Sequence, residues 1–220
     1  MIFANRQEAG RQLAVALRKY ANSEDVVVLG ISPGGVSVAF EIAKALHVRL
    51  DILLSRKLRA PGEEELVFGA IVAGDGYVLN EAIIEEAGIS ADQVEQMTRA
   101  AKAKLEERTK LYRGTRPPLC FEAKTVILID DGIGTGGCMH AAIHAMQKMK
   151  PKKLIVAVPL APYPPRDRLQ RKVDEFIVLY SPQDFHRVGQ YYRQFPQVSD
   201  EEVADLLGKA ERTLVPATVP

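Results

Sequence analysis

Two adjacent carboxylates and a cluster of glycines follow an apolar run of strand composition at residues 126–129. The acids are Asp130 and Asp131, and glycine then recurs four times, as Gly132, Gly134, Gly136 and Gly137. A strand that is apolar on both faces suits the middle of a parallel sheet, whose ligands bind beyond the carboxyl ends of its strands. Glycines let backbone amides approach an anion closely, and the helix predicted next adds unpaired N–H groups and a positive dipole end. The stretch predicts a phosphate-binding site beside two carboxylates, which suit a diol or a divalent cation. A sugar phosphate would fit both the phosphate site and the carboxylate pair.

Other nucleotide-binding motifs fit this stretch less well. Residues 132–137 match the dinucleotide pattern G-x-G-x-x-G, which is weak by itself. A dinucleotide site needs an acid about 20 residues further on, at the end of the next strand. The next predicted strand, residues 154–158, ends instead in Pro159-Leu160-Ala161. A P-loop would need Gly-Lys-Ser/Thr after the glycines, and a ligand-free junction has little use for two acids at the end of a buried strand.

Residues 130–138 resemble the phosphoribosyl pyrophosphate (PRPP) signature of the type I phosphoribosyltransferases. The shared features are an apolar strand, two acids, two mostly apolar residues, a small residue and Thr-Gly. The resemblance implies that Asp130 and Asp131 hold the ribose hydroxyls. It also implies that the loop holds the 5-phosphate, with the candidates Gly132, Ile133, Gly134, Thr135, Gly136, Gly137 and Cys138.

A second strand–loop–helix junction, at residues 31–35, falls where the family has its pyrophosphate loop. Relatives often carry Arg or Lys there, whereas Pro33 supplies neither a cation nor an amide N–H, although it makes a cis Ser32–Pro33 peptide inexpensive. We expect the missing charge from Arg56 and Lys57, at the end of a strand predicted over residues 50–55. By resemblance, Lys57 also takes a catalytic role beside the leaving pyrophosphate. The pyrophosphate candidates are Ser32, Pro33, Gly34, Gly35, Arg56 and Lys57.

The stretch at residues 59–118 is predicted to be an insertion with short strands and one long helix. Ser90 and Gln93 form a capping-box pattern that opens the helix, which runs to about residue 112. Its apolar stripe consists of Val94, Met97, Ala101, Leu105 and Tyr112. Residues 91–116 carry seven basic and four acidic residues, a net charge of +3. We favour a solvated helix surface; the alternative is a flap or dimer arm that brings cations over the pyrophosphate.

Residues 181–199 match the position of the hood that selects the acceptor in this family. The acceptor candidates are Gln183, Asp184, Phe185 and Tyr191. Six-oxopurine salvage enzymes carry an Asp at the position of Gly134 and an acid after the Val-Gly of the hood, where this chain has Arg193-Gln194. The small residue at 134 resembles the adenine and orotate branches instead. The layout as a whole resembles bacterial phosphoribosyltransferase-domain proteins, and the acceptor stays open.

Composition and element order predict an α/β protein. The chain has 220 residues, 47% of them hydrophobic and 26% charged, and its net charge of +1 argues against a general nucleic-acid binder. Two cysteines, no membrane-length apolar run and no signal-peptide pattern predict a cytoplasmic protein without membrane contact. The resemblance implies a single domain, residues 1–220, with a mainly parallel central sheet flanked by helices. The core would comprise about residues 1–58 and 120–180, the flap or helical insertion 59–118, and the small hood 181–199.

The resemblance implies a Mg-PRPP-dependent transferase that joins ribose 5-phosphate to a nitrogen acceptor, expected to be a nucleobase, and releases pyrophosphate. Mg²⁺ would bind mainly through PRPP, with Asp130 and Asp131 as candidate protein ligands, and the protein would form a homodimer. The alternative is a PRPP-sensing regulator with little or no transfer, for which nucleic acid could be a partner. Pro33 and Cys138 favour that alternative. Cys138 replaces the usual Ser or Thr, and a thiol at a helix N-terminus can have a lowered pKa, which predicts weaker phosphate binding and oxidation sensitivity.

Overall fold

The computed structural model describes residues 2–31, 33–73, 76–113, 121–163 and 165–214. The strands are β1 (Val26–Ile31), β2 (Arg49–Leu53), β3 (Ser55–Ala60), β4 (Glu63–Val72), β5 (Gly76–Leu79), β6 (Thr125–Ile129), β7 (Lys153–Leu160) and β8 (Glu175–Tyr180). The helices are α1 (Arg6–Ala16), α2 (Gly34–Leu46), α3 (Glu81–Glu86), α4 (Ala91–Arg113), α5 (Gly137–Lys148), α6 (Pro165–Gln170) and α7 (Asp200–Leu214), with short 3₁₀ turns at Arg18–Tyr20 and Val188–Tyr191. Among the described helices, none combines the length and apolar character needed to cross a membrane.

The central sheet is parallel throughout, with the strand order β2-β1-β6-β7-β8. Both faces of β1 are buried, as its unbroken apolar sequence predicts. Val28 and Ile127 face the layer of α1 and α2, whereas Val27 and Leu128 face α5. The carboxyl ends of all five strands therefore meet at one edge, where β6 delivers Asp130 and Asp131.

A smaller antiparallel sheet, in the order β3-β4-β5, corrects the prediction of one strand over residues 50–55. The central strand β2 ends at Leu53, and β3 begins at Ser55, opposite Val72 of β4. From Ser55 onward the chain pairs with β4 instead of β1, and both Arg56 and Lys57 are exposed there. The two cations consequently lie on the small sheet rather than at the end of a central strand.

Helix α4 packs against β3 and β4 of the small sheet, whereas α7 packs against α2 and β2. The predicted capping box of α4 is confirmed, since the Ser90 amide donates to Gln93 Oε1 at 2.9 Å and the Gln93 amide to Ser90 Oγ at 3.3 Å. The predicted stripe packs inward, with Ala101, Leu105 and Tyr112 buried and Val94 and Met97 half-buried against the same cluster. Helix α3 was not predicted from the sequence, because six residues are too few to establish an apolar periodicity. Residues 114–120, at the end of the predicted insertion, lie outside the described residues.

Helix α1 is fixed to the sheet by a charged cluster near the amino ends of the strands. Lys19 Nζ lies 2.7 Å from Glu175 Oε1, Lys153 Nζ lies 3.1 Å from Glu175 Oε2, and the Tyr20 hydroxyl donates to the same carboxylate. Burial opposes ionisation of Glu175, but these three donors outweigh it and lower its pKa to about 2. The cluster joins the end of α1 to β7 and β8.

Replacing Glu175 by Gln should destabilise the protein at neutral pH and not in strong acid. The folded pKa of Glu175 is depressed from 4.5 to about 2, so its stabilisation is fully present above about pH 5 and is lost as the pH falls towards 2. We expect Glu175→Gln to lower Tm by about 2–4 °C at pH 7 and the difference from wild type to shrink between pH 5 and pH 3.

The control for this prediction is Asp25→Asn. Asp25 is an exposed acid with a single lysine contact, Lys124 Nζ at 3.1 Å, and its loss should change Tm by about 1 °C or less. A Glu175→Gln deficit that is the same at every pH would contradict the assignment to charge.

Candidate active site

The amino ends of three helices converge on the carboxyl edge of the central sheet. Helices α2 and α5 start there because they follow β1 and β6, and α1 starts there because its other end leads into the beginning of β1. A cavity of about 1490 Å³ opens at this edge, bounded by the two acids, the glycine loop, β3, α4 and the hood segment. This volume exceeds that of ordinary single-ligand pockets, which are about 300–1,000 Å³, so it has room for two ligands side by side.

A buried arginine holds one of the two acids. Arg6 Nε donates to Asp131 Oδ2 at 2.8 Å, and Arg6 Nη1 donates to the Pro196 carbonyl at 2.7 Å. The guanidinium Cζ lies 3.7 Å from the centre of the Phe195 ring. Only 7% of Arg6 is exposed, so this is an enclosed ion pair and not a surface contact.

The local sequence fixes Arg6 in this position. Asn5 caps α1 by accepting from the Glu8 amide at 2.9 Å, and the Glu8 carboxylate accepts from the Ala4 amide, so the first turn is rigid. The sequence analysis did not single out Arg6. A signal was present, because a cation at the first position of a helix faces the positive end of the dipole and needs a compensating anion.

Two glycines allow α2 to approach the acids. A Cβ on Gly34 would lie 2.0 Å from Asp131 Oδ2, and a Cβ on Gly35 would lie 2.6 Å from the Ile129 carbonyl. Of the predicted pyrophosphate loop, Gly34 and the exposed Pro33 line the cavity, whereas Gly35 is buried against β6. Ser32, and with it the predicted cis peptide, lies outside the described residues.

The two acids differ in their electrostatic environment. Burial raises the pKa of Asp130 well above its ordinary value, and the neighbouring Asp131 raises it further, while Lys57 acts in the opposite direction. Burial also raises the pKa of Asp131, but the Arg6 guanidinium counteracts it. The Asp131 amide donates to Asp130 Oδ1 at 2.8 Å, which fixes the pair internally. Asp130 is therefore the more readily protonated of the two, and Asp131 the more readily charged.

The loop after the acids forms an amide cradle. Ile133 is buried and its amide is committed to the Leu160 carbonyl at 2.9 Å, so the cradle begins after it. Gly136 has a φ of +87°, a left-handed conformation that favours glycine, and it caps α5. The first helical bond of α5 runs from the His140 amide to the Gly136 carbonyl at 2.8 Å, so the amides of Gly137, Cys138 and Met139 have no partner within the helix, and these residues line the cavity. This arrangement suits an anion.

Cys138 differs from the sequence expectation of a lowered pKa. Burial raises the pKa of its thiol, and the nearby Asp130 raises it further, although Lys57 and a hydrogen bond with Ser55 oppose the rise. Loss of hydration is the largest of these effects. The thiolate form is thus disfavoured, and the expected oxidation sensitivity has no support from this site.

Cations from several elements surround the cavity. Arg56 and Lys57 line it from β3, and Arg59 and Arg187, which the sequence analysis did not single out, line it as well. Lys104 belongs to α4, whose residues Met97, Ala100, Ala101 and Lys104 all line the cavity. The long helix that was interpreted mainly as solvated therefore brings one of its cations to the site. Neighbouring cations of this kind suit a ligand with more than one phosphate group.

The hood contributes aromatic and apolar surface. Phe185 lines the cavity, and Tyr191 is buried behind it with its ring stacked on Phe185 at 6.0 Å between centres. The Tyr191 hydroxyl donates to the Asp184 carbonyl at 2.6 Å. The side chains of Gln183 and Asp184 are exposed and are not among the described residues that line the cavity. Of the four acceptor candidates, Phe185 is the one that the described structure brings to the cavity wall.

The site fits magnesium only as a partner of a phosphorylated ligand. Within the described ranges, no group of three or more His, Cys, Asp or Glu side chains could enclose a metal ion. Mg²⁺ is commonly held by one or two carboxylates together with substrate phosphates. Asp130 suits that role better than Asp131, whose Oδ2 is engaged by Arg6.

Comparison with known proteins identifies the family. A phosphoribosyl transferase domain model matches residues 2–195, and the chain belongs to that family. Proteins named "Putative phosphoribosyl transferase" from two strains of Mycobacterium tuberculosis, CDC 1551 and H37Rv, are each 37% identical to it over 216 residues. The match covers 98% of this chain and 48% of each relative. The chain thus spans about half the length of the curated relatives it matches.

Solved structures share the fold of this chain. TT1426 from Thermus thermophilus is 37% identical and superposes with a TM-score of 0.77, over 95% of this chain and 99% of that one. AQ2163 from Aquifex aeolicus shares the fold alone, with 16% identity and a TM-score of 0.51 over 80% of this chain and 74% of that one. The predicted type I phosphoribosyltransferase fold, with a mainly parallel central sheet flanked by helices, is confirmed.

Replacing Gly34 by Ala tests the close approach of α2 to the acids. The new Cβ would overlap Asp131 Oδ2, which can retreat only by disturbing its contact with Arg6. We expect Tm to fall by about 5 °C or more in a thermal melt. Gly134→Ala is the matched control, because a Cβ there meets no atom within 4 Å, and its Tm should stay within about 2 °C of wild type. Equal melting temperatures for the two variants would show that the packing around Gly34 is loose.

Proposed function

We propose that this protein is a Mg-PRPP-dependent phosphoribosyltransferase that attaches ribose 5-phosphate to a ring nitrogen of an acceptor and releases pyrophosphate. One observation carries the proposal: two adjacent, partly buried acids at the end of β6 stand beside the amide cradle of α5, in a cavity surrounded by cations. Family membership supports the same class of reaction. We further propose a cytoplasmic homodimer.

Each part of PRPP has a counterpart in this cavity. The cradle from Gly134 to Cys138 would hold the 5-phosphate, and Asp130 and Asp131 would accept hydrogen bonds from the ribose hydroxyls. Arg56 and Lys57 would face the pyrophosphate, where bound Mg²⁺ would supply further neutralisation of charge. The exposed cation Lys104 lies on the same cavity wall.

The proposed reaction is a substitution at the anomeric carbon. Its bond to the pyrophosphate oxygen breaks, the leaving group departs with the electron pair, and the acceptor nitrogen supplies the electrons of the new bond. Positive charge develops on the ribose ring, which the negative charge of the acid pair favours, while Lys57 stabilises the leaving group. Loss of one such charged contact costs about 2.7–4 kcal/mol, or roughly a hundredfold or more in rate.

The hood supports a planar nitrogen acceptor, which we propose to be a nucleobase. Phe185 and Phe195 line its side of the cavity, together with Arg187 and His186. Among the described lining residues of the hood there is no acid, which agrees with the absence of the six-oxopurine pattern. Aromatic faces with nearby donors suit a flat base that carries acceptor atoms.

A second candidate function is a PRPP sensor with little transfer activity. Pro33 is exposed at the cavity wall, at a place where it supplies neither an amide N–H nor a cation for pyrophosphate. Cys138 offers the cradle a weak donor whose burial disfavours its charged form. Binding of PRPP without turnover is the property that would distinguish this candidate.

Calorimetric titration of PRPP, with and without Mg²⁺, tests the proposed site. We expect Mg-dependent binding to the wild type and a loss of at least about tenfold in affinity for the double variant Asp130→Asn/Asp131→Asn, because the charged acceptors of the ribose hydroxyls are removed. Asp205→Asn, an exposed acid on α7 paired with Lys209, is the control and should bind normally.

The outcomes separate the two candidates. Release of pyrophosphate when a nucleobase is added favours the enzyme, whereas binding without release from any base favours the sensor. If the folded wild type does not bind PRPP, or if the double variant binds equally well, the proposed site is wrong.

A further inference from the structure

One side chain joins the ribose end of the cavity to the hood. The guanidinium of Arg6 contacts Asp131, next to the predicted ribose position, and the Pro196 carbonyl, in the hood. Its face lies on the Phe195 ring, at 3.7 Å from the ring centre. A planar guanidinium can make these contacts together because its donors point in fixed directions within one plane and leave its face free for stacking.

The backbone around Arg6 reinforces this link. The Phe3 amide donates to the Tyr191 carbonyl at 2.8 Å, and the Arg193 amide donates back to the Phe3 carbonyl at 2.8 Å. The Gln194 amide donates to the Ala4 carbonyl at 3.0 Å. The residues just before α1 therefore run beside the hood as a short strand-like pair, ahead of the rigid first turn that presents Arg6.

A second contact leads from the hood to the same acid. The Tyr192 hydroxyl donates to the Asp131 carbonyl at 2.6 Å, and the Tyr192 ring packs against Phe195 with the ring centres 4.9 Å apart. Asp131 is thus held by the hood through its main chain and by Arg6 through its side chain. A displacement of the hood has to change the position of Asp131, of Arg6 or of both, since the two linking side chains Arg6 and Tyr192 are buried.

We propose that Arg6 is a positioning residue that couples the hood to the ribose-binding acid, so that the packing of the hood sets the affinity for PRPP. This inference rests on the proposed function, because it assigns Asp131 to the ribose. The acceptor-binding part and the PRPP-binding part of the cavity then act as one unit. A ligand that binds more tightly when Arg6 contacts both Asp131 and the hood stabilises that arrangement. It therefore also favours binding of the second ligand.

A double-mutant cycle on Mg-PRPP affinity tests the coupling. The variants are Arg6→Gln, Phe195→Leu and the double variant, each titrated by calorimetry after a thermal melt has shown it to be folded. We expect a loss of about tenfold or more for Arg6→Gln and about threefold for Phe195→Leu. The double variant should bind no worse than Arg6→Gln, because the hood acts on the acid through Arg6.

Two further variants separate a positioning role from a merely structural one. Arg6→Lys keeps the charge, but an ammonium group lacks the planar pair of donors that contacts Asp131 and the Pro196 carbonyl together. We expect its PRPP affinity to lie between those of Arg6→Gln and the wild type. Arg11→Gln, on the same helix, alters an exposed arginine 3.8 Å from Glu41 and should bind PRPP as the wild type does. If Arg6→Gln does not fold, the cycle is carried out with Arg6→Lys.

Each remaining outcome contradicts a specific part of this account. Normal PRPP affinity in folded Arg6→Gln overturns the role of Arg6 and leaves the proposed function intact. Losses that multiply in the double variant mean that Arg6 and Phe195 act independently, which overturns the coupling. Absence of PRPP binding by the folded wild type overturns the proposed function itself, and with it the inference.

Discussion

The partial burial of two neighbouring carboxylates at the end of β6 is the constraint on which the rest of the site depends. Enclosing a charge is costly unless it is paired and hydrogen-bonded, and two adjacent acids also repel each other. Three contacts stabilise the pair. The buried Arg6 guanidinium donates to Asp131, a backbone amide donates to Asp130, and Gly34 lets the positive end of α2 approach Asp131 closely. These features keep a pair of polar acceptors facing a cavity without unfolding the edge of the sheet.

The rest of the cavity is assembled around that pair by elements that do not belong to the central sheet. Strand β3 contributes the exposed cations Arg56 and Lys57, α4 contributes Lys104, and the hood contributes aromatic surface. The central sheet supplies rigidity, while the loops and the smaller sheet supply the chemistry. Such a division lets one fold present different acceptor surfaces beside an unchanged sugar-phosphate seat.

The parts of the site that were predictable from the sequence are those set by local signals. Strands β1 and β6 are continuous apolar runs, the glycine loop precedes a helix, and the capping box of α4 lies within four residues. Arg6 was missed because its partner Asp131 is 125 residues away, and only the fold brings the two together. The start of β3 and the raised pKa of Cys138 depend likewise on tertiary surroundings, on a sheet partner in one case and on burial beside Asp130 in the other.

A crystal structure of the protein with Mg²⁺ and PRPP would show whether the acid pair holds the ribose. We expect the 5-phosphate on the amides between Gly134 and Cys138, the ribose hydroxyls on Asp130 and Asp131, and the pyrophosphate beside Lys57. Arg6 should still contact Asp131 in that complex. A ligand bound away from the acid pair, or a ribose that displaces Arg6 from Asp131, would contradict this expectation.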